Sequence, residues 1–172
     1  QTPHAVYPEC VSEQVVFTEG SCDVDKVVLD TVAKGQSLML YGPPGTGKSM
    51  LCQKIAENTT LPVFAMARTH AASRQLPDGM TTHRWLHTHC GGRLPACVLI
   101  VDEFFLHECE LLAQLAVFAL LPGIVWVLSG DDAQCPAIDN AFGTTPIAQN
   151  AVMESDFLKQ LVPVRVELNI CK

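Results

Sequence analysis

Ser37-Leu38-Met39-Leu40-Tyr41 runs directly into Gly42-Pro43-Pro44-Gly45-Thr46-Gly47-Lys48-Ser49, and the reading of this stretch decides the fold. Its first half is short and nearly all apolar, the pattern of a strand covered on both faces. Its second half matches Gly-x-x-x-x-Gly-Lys-Ser/Thr at every fixed position, and Lys48 to Asn58 continues with a helical pattern. Strand, glycine loop and helix in that order make a phosphate cradle. The glycines let the backbone curl until successive N–H groups converge on an anion, and the helix adds the positive end of its dipole. ATP and Mg2+ are therefore the expected cofactors. Gly42, Pro43, Pro44, Gly45, Thr46, Gly47, Lys48, Ser49 and Met50 are the expected nucleotide contacts, with Lys48 on the β and γ phosphates and the Ser49 hydroxyl on the metal.

Similar apolar runs recur outward at Pro62 to Ala67, Cys97 to Val101 and Ile124 to Leu128, with a further candidate strand at Val164 to Leu168. Three helices are expected around them. Val24 to Lys34 has valines at helical spacing and stops at Gly35; Lys48 to Asn58 is the second; Glu108 to Leu120, apolar nearly all round, is the third and should be deeply packed. Alternating strands and helices predict a layered α/β fold, its mainly parallel central sheet flanked by helices.

Val98-Leu99-Ile100-Val101-Asp102-Glu103 is a buried strand ending in two carboxylates, at the sheet edge where parallel α/β folds bind ligands. Asp102 is expected to hold magnesium together with Ser49. Glu103 is expected to orient and deprotonate an attacking water. Without the phosphate loop, the same pair would read as two solvated acids.

Ile124 to Leu128 leads into Ser129-Gly130-Asp131-Asp132-Ala133-Gln134-Cys135-Pro136. Here the chain resembles superfamily 1 helicases, whose third motif reads roughly Gly-Asp-x-x-Gln-x-Pro. Gly130, Asp131, Gln134 and Pro136 match, while Cys135 stands where leucine is common. The resemblance extends from about Gly35 to Pro136. It includes Ala67-Arg68-Thr69-His70-Ala71-Ala72, similar to motif Ia, and Thr81-Thr82-His83-Arg84-Trp85-Leu86, similar to a segment of the RecD-like branch and related viral helicases.

The resemblance implies a RecA-like P-loop NTPase domain, the first motor domain of a helicase, with 1–22 as an N-terminal extension and 23–172 as the domain. Catalytic roles then fall to Lys48, Glu103 and Gln134, with Gln134 sensing the γ phosphate. Arg68, Thr69, His70, Thr82, His83 and Arg84 would contact single-stranded DNA or RNA. Trp85 fits a stacking surface, although packing in the core is the commoner use of tryptophan. The family's second RecA-like domain, belonging to the same polypeptide, would supply arginine fingers. The chain ends at Lys172 before such a domain, so a fragment with weak hydrolysis is implied.

One departure stands out. Cys22-Asp23-Val24-Asp25-Lys26 occupies the place where the family puts an adenine-reading glutamine, and Gln14 lies far upstream of it. Two other readings use the same loop. AAA+ ATPases share the phosphate loop and the Asp-Glu pair but follow the next strand with a polar sensor instead of Gly-Asp-x-x-Gln. A nucleotide-switched binding module would keep the pocket without efficient turnover.

Composition narrows the remaining classes. A 172-residue chain with 48% hydrophobic residues supports one packed domain. Its net charge of -7 argues against a broad basic field, so nucleic acid would need a local groove. The eight cysteines include no Cys-x-x-Cys pair and several lie in apolar runs, which fits reduced, intracellular thiols in cytoplasm or nucleus. His83, His87, His89, Cys90 and Cys97 are clustered, but their spacing is not that of a recognised zinc finger, and a solvated polar connector is expected there. No apolar run approaches the roughly 20 residues of a membrane span, and Gln1-Thr2-Pro3 does not begin a signal peptide.

Overall fold

A computed structural model describes residues 13–17, 23–90, 93–131, 133–134, 141–142, 145–146 and 155–169. In chain order the elements are β1 (Glu13–Phe17), α1 (Val24–Ala33), β2 (Leu38–Tyr41), α2 (Lys48–Asn58), β3 (Val63–Ala67), α3 (His70–Ser73), β4 (Met80–Thr81) and α4 (Thr82–His89). There follow β5 (Cys97–Asp102), a 3-10 turn (Phe104–Leu106), α5 (Cys109–Ala116), a second 3-10 turn (Val117–Leu120), β6 (Ile124–Gly130), β7 (Ala141–Phe142), β8 (Thr145–Pro146), α6 (Asp156–Leu161) and β9 (Val164–Leu168). Seven strands form one sheet in the order β1-β9-β2-β6-β5-β3-β4, every neighbouring pair parallel. β7 and β8 pair separately as an antiparallel ribbon.

The strand register explains why the apolar runs lack alternation. Along β2, Leu38 and Leu40 face a layer containing Val28 and Val32 of α1 and Leu51 and Ile55 of α2. Met39 and Tyr41 face the opposite layer, with Trp85 and Leu86 of α4, Leu111 and Leu115 of α5 and Leu158 of α6. β5 divides in the same way, Val98 and Ile100 to one side, Leu99 and Val101 to the other. Both strand faces are covered, so both must be apolar. Each fully buried Leu, Ile or Val contributes about 1.5–3 kcal/mol.

Helix ends follow local chemistry. Asp23 caps α1 by accepting from the Lys26 N–H at 3.4 Å. At the other end, Gly35 with φ 73° turns the chain and donates to the Val32 carbonyl. Among the described residues, no helix is long and apolar enough to cross a membrane.

Three expectations need correction. The segment 1–22, expected outside the domain, contains β1, paired along its length with β9. Pairing at a sheet edge leaves little trace in five residues of mixed polarity. The connector expected from His87 to Cys97 begins inside helix α4, which Thr81 caps by accepting from the Arg84 N–H and which runs to His89 with Trp85 and Leu86 buried. The helix expected over Glu108 to Leu120 is α5 for one half and a 3-10 turn for the other, with Leu111, Leu115 and Phe118 buried but Val117 65% and Leu120 87% exposed. Apolarity on every face carries no direction, so the sequence could not say which side would pack.

Candidate functional site

Because the strands are parallel, β2, β5 and β6 all end at the same sheet edge. β6 lies between β2 and β5, so its carboxyl end separates the phosphate loop from the acidic pair. A cavity of about 520 Å³ opens there, lined by Lys48 and Ser49 from the loop, Asp102 and Glu103 from β5, and Asp131 and Gln134 after β6. Met50, Pro44, Gly45 and Gly47 also border it, whereas Gly42, Pro43 and Thr46 are not among its lining residues.

The loop is closed on itself. The Lys48 ammonium donates to the carbonyls of Gly42 at 2.7 Å and Pro43 at 2.8 Å, and the Thr46 hydroxyl donates to Pro43 at 2.9 Å. Gly45 and Gly47, with φ 79° and 89°, make the curl possible. Ser49, in the first turn of α2, donates its hydroxyl to Asp102 Oδ2 at 3.2 Å. Asp102 is buried, and its other oxygen accepts the Glu103 N–H at 2.9 Å. A hydroxyl and a carboxylate converging beside the amides of the loop form the hard oxygen set that Mg2+ prefers, so these residues fit that ion. Beneath them, burial first and the Asp102 charge second push the Cys52 thiol upward, which leaves it protonated and inert. Cys52, Cys90 and Cys97 are free thiols; Cys10, Cys22, Cys135 and Cys171 lie outside the described residues.

Glu103 occupies the left-handed region, φ 52° and ψ 37°. Its carboxylate accepts from both the Thr69 N–H at 3.2 Å and the Thr69 hydroxyl at 2.9 Å. The same hydroxyl accepts the Ala72 N–H and caps α3. Gly130 lies close under this turn, where an added Cβ would come within 2.7 Å of the Phe105 ring. Gln134 is exposed at the cavity rim, its N–H on the Asp131 carbonyl. Asp132, Cys135 and Pro136 of the third motif lie outside the described residues.

The expected nucleic-acid contacts separate into two groups. His70, at the start of α3, and His83 and Arg84, on α4, are exposed. Arg68 is half-buried in an ion pair with Glu108, and Thr69 is engaged by Glu103. Burial pushes the Glu108 carboxyl up, but the Arg68 guanidinium outweighs it and holds the carboxyl below its usual range. Thr82 is fully buried, with its hydroxyl between the Ala67 carbonyl and His107 Nε2, so it cannot meet a phosphate. A motif resemblance carries no side-chain direction, and Thr82 faces inward at the first turn of α4. Trp85 is likewise buried, and His89 stacks on it at 4.5 Å. Of the other histidines and cysteines read with His83, His87 is exposed on α4 and Cys97 is buried on β5.

His107 escaped the sequence reading, since a lone histidine after an acidic pair carries no pattern. It is 1% exposed, and burial lowers its pKa from 6.5 to about 4. The unfolded chain therefore takes up a proton near pH 6.5 that the folded chain refuses until about pH 4. Stability from this group is complete above pH 6.5 and falls toward pH 4, by about 3 kcal/mol in total. Urea denaturation at pH 7.5 and pH 4.5 should show a larger acid loss in the wild type than in His107→Asn; equal losses would mean that His107 is not buried neutral.

A family model for the AAA domain matches residues 25–162. The ATPase family AAA domain-containing protein FIGL1 of Arabidopsis thaliana is 33% identical over 95 residues, which are 55% of this chain and 13% of that protein. The Pif1 helicase from Candida albicans superposes with a TM-score of 0.68 at 24% identity, over 88% of this chain and 40% of its own. Bacteroides Pif1 bound to ssDNA gives 0.58 at 17% identity, over 86% and 41%. At these identities the structural likeness speaks for the fold, which is that of a RecA-like P-loop NTPase. The chain spans less than half of each of these relatives.

Proposed function

The chain belongs to the AAA domain family, and from that premise we propose that it is the MgATP-hydrolysing first motor domain of a superfamily 1 type helicase, acting on single-stranded nucleic acid. One observation carries the reading: Lys48, the Ser49–Asp102 pair, Glu103 and Gln134 all border a single cavity at the carboxyl edge of the sheet.

In this reading the loop amides grip the β phosphate, and the Lys48 ammonium exchanges the Gly42 and Pro43 carbonyls for the β and γ phosphate oxygens. Magnesium, held through Ser49 and Asp102, supplies charge neutralisation when bound. Glu103 leaves Thr69, orients a water and takes its proton. Gln134 offers its amide to the γ phosphate and loses that partner after cleavage. His70, His83 and Arg84 are the exposed side chains proposed to meet the strand. Arg68 joins them only by leaving Glu108. A second RecA-like domain of the same polypeptide closes the cleft and adds arginine, so the chain alone turns over slowly.

The likeness to FIGL1 favours a second reading, an AAA-type ATPase. Calorimetry tests the common ground. The chain is expected to bind ATP in the presence of magnesium and not in EDTA, and Lys48→Ala should weaken binding roughly 10–100-fold, the worth of charge-assisted hydrogen bonds. Magnesium-independent or absent binding would remove both readings. Adding single-stranded oligonucleotide separates them: faster hydrolysis supports the helicase, and no binding leaves the AAA-type alternative.

A further inference from the structure

Glu103 stands in a left-handed backbone conformation that is strained for a residue with a Cβ. Such a conformation persists only where the surroundings over-determine it. On its amino side the peptide plane is held by the Asp102 carboxylate, which accepts the Glu103 N–H. On its carboxyl side the Glu103 carbonyl accepts the Leu106 N–H at 2.9 Å, closing the turn, and then a second donor, His107 Nδ1, at 3.1 Å. The same Nδ1 also reaches the Phe104 carbonyl at 3.2 Å.

Carbonyl oxygens only accept, so Nδ1 carries the ring proton. Burial keeps the ring neutral, which leaves Nε2 bare and in need of a donor. The Thr82 hydroxyl supplies it at 2.7 Å, closer than its alternative acceptor, the Ala67 carbonyl at 3.2 Å. Thr82 opens α4, and Ala67 ends β3 next to Arg68 and Thr69. The imidazole thus stands between the turn carrying Glu103 and the elements carrying the exposed His70, His83 and Arg84.

We propose that His107 is a positioning residue that fixes the backbone of Glu103 from its carboxyl side and braces that turn against the start of α4. The inference rests on the reading of Glu103 as the hydrolytic base. Two substitutions divide the imidazole's two contacts. Asparagine places an amide N–H near the Nδ1 position and abandons Thr82; glutamine reaches the Nε2 position and abandons the Glu103 carbonyl.

The test uses the full chain and saturating MgATP. His107→Gln is expected to lower kcat at least about tenfold, a modest misplacement on the scale where about 1 Å can cost 10²-fold. His107→Asn should stay within about threefold of wild type, and neither variant should change MgATP affinity by more than about threefold. In the wild type, 15N spectra of the histidine rings should show His107 as the neutral Nδ1–H tautomer. A kcat for His107→Gln equal to wild type, an equal loss in both variants, or an Nε2–H tautomer would each overturn the proposal. Wild-type turnover is read separately: if that is absent, the hydrolytic reading itself fails, whereas the tautomer still reports on the imidazole's place in the fold.

Discussion

Glu103→Gln is expected to slow ATP hydrolysis by roughly 10²–10⁴-fold, the usual worth of a positioned general base, while MgATP remains bound. The substitution is nearly isosteric. An amide oxygen can still accept from the Thr69 N–H and hydroxyl, as the carboxylate does at 3.2 and 2.9 Å, so α3 and the turn after β5 should stay in place. What the amide cannot do is take a proton from water. Single-turnover hydrolysis and calorimetry together decide the matter. A variant that hydrolyses like the wild type would remove Glu103 from the chemistry and leave the pocket to a nucleotide-responsive switch.

Gly42→Ala is expected to destabilise the fold by about 3 kcal/mol or more, in the range reserved for steric conflicts that cannot relax. A Cβ at this position would lie 2.2 Å from the Leu168 carbonyl oxygen, and Gly42 has φ 141°, a conformation L residues rarely adopt. The opposing atom is backbone at the end of β9, which is paired on one side with β2 and on the other with β1. It has nowhere to go. Gly45 is the internal control: its φ is 79°, but nothing lies within 4 Å of its missing Cβ, so Gly45→Ala should cost only the strain of about 1–2 kcal/mol. Equal denaturation midpoints for the two variants would show that β9 does not press on the loop.

The contrast between these two glycines marks how far the sequence could be read. Both belong to one recognisable loop, and the motif treats them alike. Only the arrival of β9 beside β2, from a segment more than a hundred residues later, makes one of them intolerant of a methyl group. The acidic pair behaves similarly. Val98 to Val101 announces a strand covered on both sides, and carboxylates at its end announce the ligand edge. Nothing local announces that Glu103 would be left-handed or turned toward Thr69.

The nucleic-acid contacts were the least legible. Arg68, Thr69, His70, Thr82, His83 and Arg84 all came from polar patches resembling helicase segments, and such patches do not reveal which way a side chain points. Helix α4 turns Thr82 and Trp85 inward and His83 and Arg84 outward, an outcome set by its packing against α5 and β3.

By itself, the sequence determined the phosphate loop, the parallel strands with two apolar faces and the acidic end of β5, because each depends on residues adjacent in the chain: glycine's φ range, side-chain period, hydrophobic burial. Tertiary structure alone decided that β6 separates β2 from β5, that β1 closes the sheet beside β9, and that a buried His107 braces Glu103 against Thr82. The strand neighbours and the His107–Thr82 contact join segments distant in sequence, and their free energy appears only when packing has removed water from both partners.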